Sequence, residues 1–514
     1  MNSEEQQQRA VQAFTDFVHT PLEKLLQRHL NTQSESAALA LFHEVAATVP
    51  AYQAFLAQEA INPTEYQSFE DFQKLPLLTK QNYLLCHSLA NLCRHGRLET
   101  CDMIAVSSGS TGKPTFWPRF FADEMEIATR FEQIFHDSFY ADTKRTLAVI
   151  CFTLGTWVGG MYTTNCCRYL ASKGYPVTVI TPGNNKEEIF RVLAELGSAF
   201  EQVVLLGYPP FLKDIIDNGI ARGIKWQEYQ IKLVMAGEVF SEEWRSLVGE
   251  RIGSQHPCYD SASLYGTADA GVLGNETPLS ICIRRFLADH PDAARALFGE
   301  SRLPTLVQYD PLSRFFEVQD GTLLFSGNNG IPLVRYHISD NGGIISYDAM
   351  FQFLKEWGFD PVADLQHHGV KTLHTPSGQN TVRGIRSLPF VYVFGRSNFT
   401  VSYFGANIYP ENVTVGLEQP VIREWVTGKF VLQVQEDADK NRFLSVVVEL
   451  APGVEGSEEK RQTIASSILS QLKRLNSEFA NYVPKEYQIP QVALAPTGDP
   501  EYFPVGVKHR YTRK

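Results

Sequence analysis

The sequence predicts an α/β protein: a large N-terminal domain of mixed or parallel sheets covered by helices, and a small α+β C-terminal domain. Three observations predict it. Four apolar runs rich in β-branched residues, Leu147 to Phe152, Val177 to Ile180, Val203 to Leu206 and Lys232 to Met235, are each followed by a turn signal or a helix-like stretch. After Val334 the pattern changes, and residues 341–394 read as a long, glycine-containing insertion. Beyond about residue 396 the chain is compact and mixed, as a separate unit of roughly 120 residues would be.

Taken in order, residues 8–60 place Phe14, Phe17, Leu22, Leu25 and Leu26 near helical spacing, and Pro63 interrupts them. This gives a helical extension over residues 1–68. Met103-Ile104-Ala105-Val106 is a short strand that runs directly into a Ser/Gly loop. Glu187 to Leu196 is a helix between the second and third apolar runs. The C-terminal unit shows strands at Lys429 to Val434 and Leu444 to Leu450, a helix at Glu458 to Phe479, and a strand at Gln488 to Leu494. The expected domains are therefore 1–396 and 397–514.

Composition narrows the function. A chain of 514 residues is too long for one ordinary core. Its 44% hydrophobic and 20% charged residues describe a soluble globular protein. A net charge of −11 argues against a broad nucleic-acid surface. Met1 to Arg9 is polar, with no apolar core of a secretory signal, and no run approaches the ~18 apolar residues of a membrane span. Eight cysteines do not form a disulfide scaffold, so reduced thiols in a cytoplasm are expected. Cys86, His87, Cys93, His95 and Cys101 cluster loosely, as do His256, Cys258 and Cys282, but neither group has a standard zinc spacing. Structural or incidental roles are expected for both, with zinc left open.

The most informative stretch is Ser107-Ser108-Gly109-Ser110-Thr111-Gly112-Lys113-Pro114-Thr115. Its glycines let backbone N–H groups approach an anion, its hydroxyls add donors, and Lys113 adds a positive charge. This chemistry suits a nucleotide triphosphate. It is not a Walker A loop: Ser107 stands where that motif has Gly, and Pro114 follows the lysine where it has Ser or Thr. The stretch resembles the phosphate-binding loop of the adenylate-forming superfamily, a Ser/Thr/Gly run followed by Thr-Gly-Lys-Pro. The resemblance runs from about Phe69 to Tyr409 and is nearest to the phenylacetate–CoA ligase branch.

Five further segments fall in the order that this family requires. Lys74 to Lys80, "KLPLLTK", precedes the loop and is expected to be structural. Ala236-Gly237-Glu238 ends a strand, where α/β sheets bind ligands; the resemblance implies adenine contact at Gly237 and Glu238. Tyr265-Gly266-Thr267-Ala268-Asp269 resembles the family's Tyr-Gly-x-x-Glu. That implies adenine stacking on Tyr265, a Thr267 hydroxyl near the α-phosphate, and Mg2+ at Asp269, which is shorter than the family's Glu. Pro332 to Asp340 resembles the family's "RYRTRD", implying that Asp340 accepts both ribose hydroxyls, while His337 is expected to pack locally. Gly395-Arg396-Ser397-Asn398, continued by Gly405 to Pro410, looks like the interdomain hinge. Here Asn398 replaces the usual Asp, and Arg396 is expected on ribose or phosphate. The final element is a catalytic lysine near the C-terminus, and Lys508 is the candidate, with Arg513 and Lys514 weaker.

The implied chemistry has two steps. A carboxylate attacks the α-phosphorus of ATP, with Lys113 and the loop hydroxyls on the β- and γ-phosphates and Mg2+ and Lys508 near the α-phosphate. The small domain then turns about Asn398, and coenzyme A takes the acyl group. Trp157, Tyr162 and Gly237 could line a slot for an aromatic acid; core packing is the alternative for the aromatics. Transfer to an amine or a carrier-protein thiol, and ligand binding without turnover, stay open. A homodimer is compatible with the sequence, and the role of 341–394 is undecided between lid, substrate-shaping element and partner surface.

Overall fold

The computed structural model describes residues 3–512 except 108–114, 157, 238, 301, 368–371, 375–379, 397–400, 404–405, 437–441, 477–478, 481–482, 484 and 505–508. Four helices open the chain, Ser3–His19, Leu22–Asn31, Ser34–Thr48 and Pro50–Gln58. Phe17, Leu22, Leu25 and Leu26 are all buried.

A hairpin of β1 (Met103–Ser107) and β2 (Thr115–Arg119) follows. Then come β3 (Thr146–Ile150), β4 (Val177–Ile180), β5 (Gln202–Gly207), β6 (Ile231–Ala236) and β7 (Ser261–Thr267). The four apolar runs are the first four of these. They lie parallel in the order β4-β3-β5-β6-β7. The helices Val158–Ser172, Lys186–Leu196, Pro209–Ala221 and Glu242–Ile252 connect them in turn. Such strands are apolar throughout because both faces are covered. Ala148, Ile150, Val204 and Leu206 enter one core, and Leu147, Val149, Val203 and Leu205 enter another.

The sheet continues antiparallel through β8 (Gly271–Asn275), β9 (Thr305–Gln308), β10 (Arg314–Gln319), β11 (Thr322–Gly327) and β12 (Leu333–Ile345). The small hairpin of β13 (Thr372–His374) and β14 (Asn380–Val382) precedes β15 (Phe390–Arg396). Among the described residues the sheet has eleven strands in the order β10-β11-β12-β15-β9-β8-β7-β6-β5-β3-β4. One half is thus parallel and the other antiparallel, with β7 as the boundary.

β12 runs through residues 341–345, where the sequence suggests that the insertion begins. The excursion from there to β15 carries helices Tyr347–Glu356 and Pro361–His367. Ile345 pairs with Phe390, while Asp340 pairs with Arg396. The excursion therefore leaves the sheet five residues, or roughly 17 Å, beyond Asp340. Arg386 pairs with Asp137, and Arg383 with Asp142, so its C-terminal part is held against the segment that follows helix Phe121–Gln133.

The last unit contains the hairpin of β16 (Val401–Tyr403) and β17 (Ala406–Ile408), helix Pro410–Leu417, and a sheet of β18 (Val426–Glu436), β19 (Arg442–Leu450) and β20 (Gln491–Ala495). Helix Glu458–Leu475 covers that sheet. Ser457 caps its first turn beside Glu458 and Glu459, and Lys473 and Arg474 sit in its last turn, matching the helix dipole at both ends. Its Ile464, Ala465, Ile468 and Leu472 enter the core of the unit.

Candidate active site

The site is built at the carboxyl ends of the parallel strands. The N–H of Val106, in β1, donates to the Thr156 carbonyl at 2.8 Å. This ties the hairpin that frames the Ser/Gly loop to the segment after β3. Arg119, at the end of β2, is buried and donates to the carbonyls of Ala268 and Asp269. Asn329 Nδ2 also donates to the Asp269 carbonyl, at 3.2 Å. The turn after β7 is therefore held through its backbone from two sides.

The motif residues meet across the sheet. Ala236 pairs with Leu264, which brings Gly237 beside Tyr265. Gly237 has φ +84°, a left-handed backbone suited to glycine. Tyr265 donates its hydroxyl to Asp340 Oδ2 at 2.6 Å, and its ring stacks on Phe316 with centroids 6.4 Å apart. Tyr336, in β12, donates to Asp269 Oδ2, also at 2.6 Å. Thr267 Oγ1 accepts from the Ala270 N–H at 3.1 Å, which turns the chain sharply after β7. A Cβ on Gly266 would lie 2.8 Å from the Gly271 carbonyl, so this pairing of β7 with β8 requires glycine.

β12 is bent to make this geometry. Arg335 and Ser339 have φ of +47° and +66°. Such strain persists only where the surroundings fix it. Arg335 is fixed: its guanidinium pairs with Glu317 at 3.1 Å and donates to the carbonyls of Gln73 and Leu75. Burial pushes the Glu317 carboxyl up, against the pull of Arg335. The Leu78 N–H donates to the Arg335 carbonyl at 3.2 Å, and the His337 N–H to the Leu78 carbonyl at 2.8 Å. The "KLPLLTK" segment thus runs alongside Tyr336 as a brace. His337 Nε2 lies 2.9 Å from Thr322 Oγ1, a local packing contact.

No family model matches the chain. A phenylacetate-coenzyme A ligase of Thermus thermophilus is 23% identical over 324 residues, or 62% of this chain. The match spans 66% of that protein, just under two thirds of its length. A 2-hydroxyisobutyryl-CoA ligase solved in the postadenylation state with R3-HIB-AMP is 13% identical, with a TM-score of 0.58 over 94% of this chain and 87% of that one. The same enzyme with 2-HIB-AMP gives a TM-score of 0.56 at 13% identity over the same shares. The chain has the adenylate-forming fold. Its sequence is similar to that phenylacetate-coenzyme A ligase over 62% of its length.

In this fold, Gly237, Tyr265, Thr267 and Asp269 lie at the carboxyl ends of β6 and β7, Asp340 reaches them from within β12 through Tyr265, and the backbone of Arg396 pairs with Asp340. Ser108, Gly109, Ser110, Thr111, Gly112, Lys113, Trp157, Glu238, Asn398 and Lys508 lie outside the described residues, as do the side chains of Ser107 and Arg396. Phe503 is buried, and His509 Nε2 contacts the Phe430 carbonyl at 2.6 Å.

Tyr162, read from the sequence as slot or core, packs in the core formed by helix Phe121–Gln133 and β3. The residue is 3% exposed, and its hydroxyl donates to Asp123 at 3.2 Å. Burial and Asp123 push that hydroxyl well up, so it stays a donor. The topological switch point lies nearby, where β4 and β5 flank β3 on opposite sides. There Phe152 and Tyr208 meet edge to face at 5.0 Å. A Cβ on Gly159 would lie 3.5 Å from the Phe152 ring and 3.7 Å from Tyr208 Oη. Sequence reasoning missed Tyr208, Arg119 and Tyr336 as site residues. Position supplies a signal for Tyr208, which directly follows the third parallel run.

Proposed function

We propose that the chain activates a carboxylic acid with ATP, forming an acyl-adenylate and pyrophosphate, and then transfers the acyl group to the thiol of coenzyme A with release of AMP. One observation carries the proposal: Tyr265 and Asp340, 75 positions apart in sequence, join at 2.6 Å, and Arg119, from the hairpin of the Ser/Gly loop, holds the turn that follows Tyr265. A buried carboxylate there can accept the two hydroxyls of a ribose. The similarity to a phenylacetate-coenzyme A ligase supports the same reading.

Asp340 orients the ribose, Gly237 and Tyr265 bound the adenine, and Lys113 with the loop hydroxyls holds the β- and γ-phosphates. The Asp269 carboxylate is a hard oxygen donor of the type that Mg2+ takes alongside phosphate oxygens. When bound, Mg2+ neutralises phosphate charge. Lys508 offsets the negative charge that develops as the acid attacks. Catalysis is mainly positioning and charge neutralisation, because the protein forms no covalent bond to substrate. Phe152, Gly159 and Tyr208 form the acid pocket, and a turn of the small domain about Asn398 exchanges the two half-reactions.

The test is incubation with Mg-ATP and a panel of aryl, aryl-acetic and fatty acids, with and without coenzyme A, read by mass spectrometry. Acyl-CoA is the expected product. Acyl-adenylate or AMP alone would point to an amine or carrier-protein acceptor, and no turnover would favour ligand binding without catalysis. Lys508→Ala is expected to slow pyrophosphate release at least about a hundredfold. An unchanged rate removes Lys508 from the mechanism.

A further inference from the structure

Two segments far apart in sequence carry one pattern, Tyr-x-x-x-Asp: Tyr265 to Asp269 and Tyr336 to Asp340. The fold crosses them. The tyrosine of each segment donates its hydroxyl to the aspartate of the other, and both bonds measure 2.6 Å. An O–H donated to an ionised carboxylate is about twice as strong as a neutral hydrogen bond. Tyr265 and Tyr336 are 9% and 2% exposed; the Tyr265–Asp340 bond is buried and the Tyr336–Asp269 bond half-buried at its Asp269 end. Neither segment can shift without loading the other.

The surroundings reinforce the crossing. The strained backbone at Arg335 and Ser339 brackets Tyr336, and the Arg335 guanidinium pins that strain to Glu317 and to the carbonyls of Gln73 and Leu75. On the other side, Arg119 and Asn329 hold the Asp269 carbonyl, leaving its carboxylate to be aimed by Tyr336. Asp is one methylene shorter than Glu, so the direction of its carboxylate matters more. A carboxylate has two oxygens and can give one to a tyrosine and the other to a ligand.

Resting on the function proposed above, we propose that Tyr265 and Tyr336 are positioning residues that make Asp269 and Asp340 one coupled unit, so that metal-dependent nucleotide binding passes through the Tyr336–Asp269 bond. The metal side and the ribose side of a nucleotide then report to each other through the two side-chain bonds and the short segments that join each tyrosine to its own aspartate.

The experiment is calorimetric titration of the full chain with a non-hydrolysable ATP analogue, in excess Mg2+ and in EDTA. It uses wild type, Tyr336→Phe, Tyr265→Phe and the double variant. Tyr336→Phe keeps the ring that packs on Phe325, and a thermal melt checks that each variant is folded. Tyr336→Phe should weaken binding about five- to tenfold in Mg2+ and less than twofold in EDTA. Tyr265→Phe should weaken both titrations, and the double variant should fall at least about threefold short of the product of the singles. Equal losses with and without metal, or no loss, for Tyr336→Phe would overturn the metal link. Strict multiplication of the single effects would overturn the coupling. A wild type that binds no nucleotide would overturn the proposed function and the clasp with it, a result distinct from either failure of the clasp alone.

Discussion

Asp269 and Asp340 are brought together where β7 meets β12, and Glu411 and Glu418, in and just after helix Pro410–Leu417, face Arg302 and Ser241. The first pair is met by tyrosine hydroxyls at 2.6 Å, each delivered by a strand or turn that is itself braced. The second pair is under-partnered. Glu418 Oε2 accepts from Ser241, but Glu418 Oε1 is buried and has no hydrogen-bond partner among the described residues. Glu411 Oε2 lies 3.6 Å from Arg302 Nη1, beyond hydrogen-bond range, and both atoms are otherwise unsatisfied among the described residues. Unsatisfied buried polar atoms each cost about 1–3 kcal/mol. The first pair is held by short, braced hydrogen bonds, whereas the second is left short of them.

The largest effect expected from breaking the saturated side is on stability. Arg335→Met leaves Glu317 unpaired and two carbonyls without their donor. Removing one partner of a buried pair typically costs about 3–5 kcal/mol. Denaturant unfolding should show a loss of that size for the large domain. A loss below about 1 kcal/mol would mean that the strain in β12 is held by something else.

The next effect is on binding. Asp340→Ala should weaken nucleotide binding about a hundredfold, as expected for losing charge-assisted hydrogen bonds of about 1.5–3 kcal/mol in all. Its melting should stay within a few degrees of wild type. Titration with Mg-ATP checks this, and wild-type affinity in the variant would take Asp340 out of the site.

Much of this architecture is legible in the sequence where one physical rule decides. The parallel strands declare themselves because both faces are buried, so Leu147 to Phe152 reads as an unbroken apolar run and holds most of strand Thr146–Ile150. Asn341-Gly342-Gly343 misleads for an equally physical reason. Two glycines suggest a loop, yet a Cβ at Gly342 would lie 2.0 Å from the Tyr392 carbonyl, and one at Gly343 2.4 Å from the Tyr392 hydroxyl. The glycines are there because β15 presses close. The end of the sheet at which the excursion 346–389 emerges was hidden as well, because strand direction depends on long-range pairing. The tyrosine clasp left a trace in the repeated Tyr-x-x-x-Asp spacing, but only the fold crosses the two copies.

The last effect concerns the under-partnered side and depends on pH. Burial pushes the Glu418 carboxyl from 4.5 up to about 8; Glu243 adds to this, while the Ser241 hydroxyl, Arg284 and Lys213 oppose it. Lys213 also donates to the Val426 carbonyl at 3.3 Å, and Arg251 pairs with Glu424 at 2.7 Å, so the same surface carries the small domain's other contacts. The sign follows from the raised value. Below pH 4.5 the carboxyl is protonated whether or not the small domain is docked, and docking carries no proton cost. Between 4.5 and about 8 docking must take up a proton, so it weakens as pH rises, by at most about 1.4 kcal/mol per pH unit. Above about 8 the full penalty is present and the dependence levels off. Hydrogen exchange in helix Pro410–Leu417 should therefore speed up between pH 6 and 8 beyond its intrinsic pH dependence. In Glu418→Gln the side chain keeps its shape and cannot ionise, so that excess should vanish. An excess that survives the substitution would place the pH sensitivity elsewhere on the surface and weaken the contrast between the two ends of the molecule.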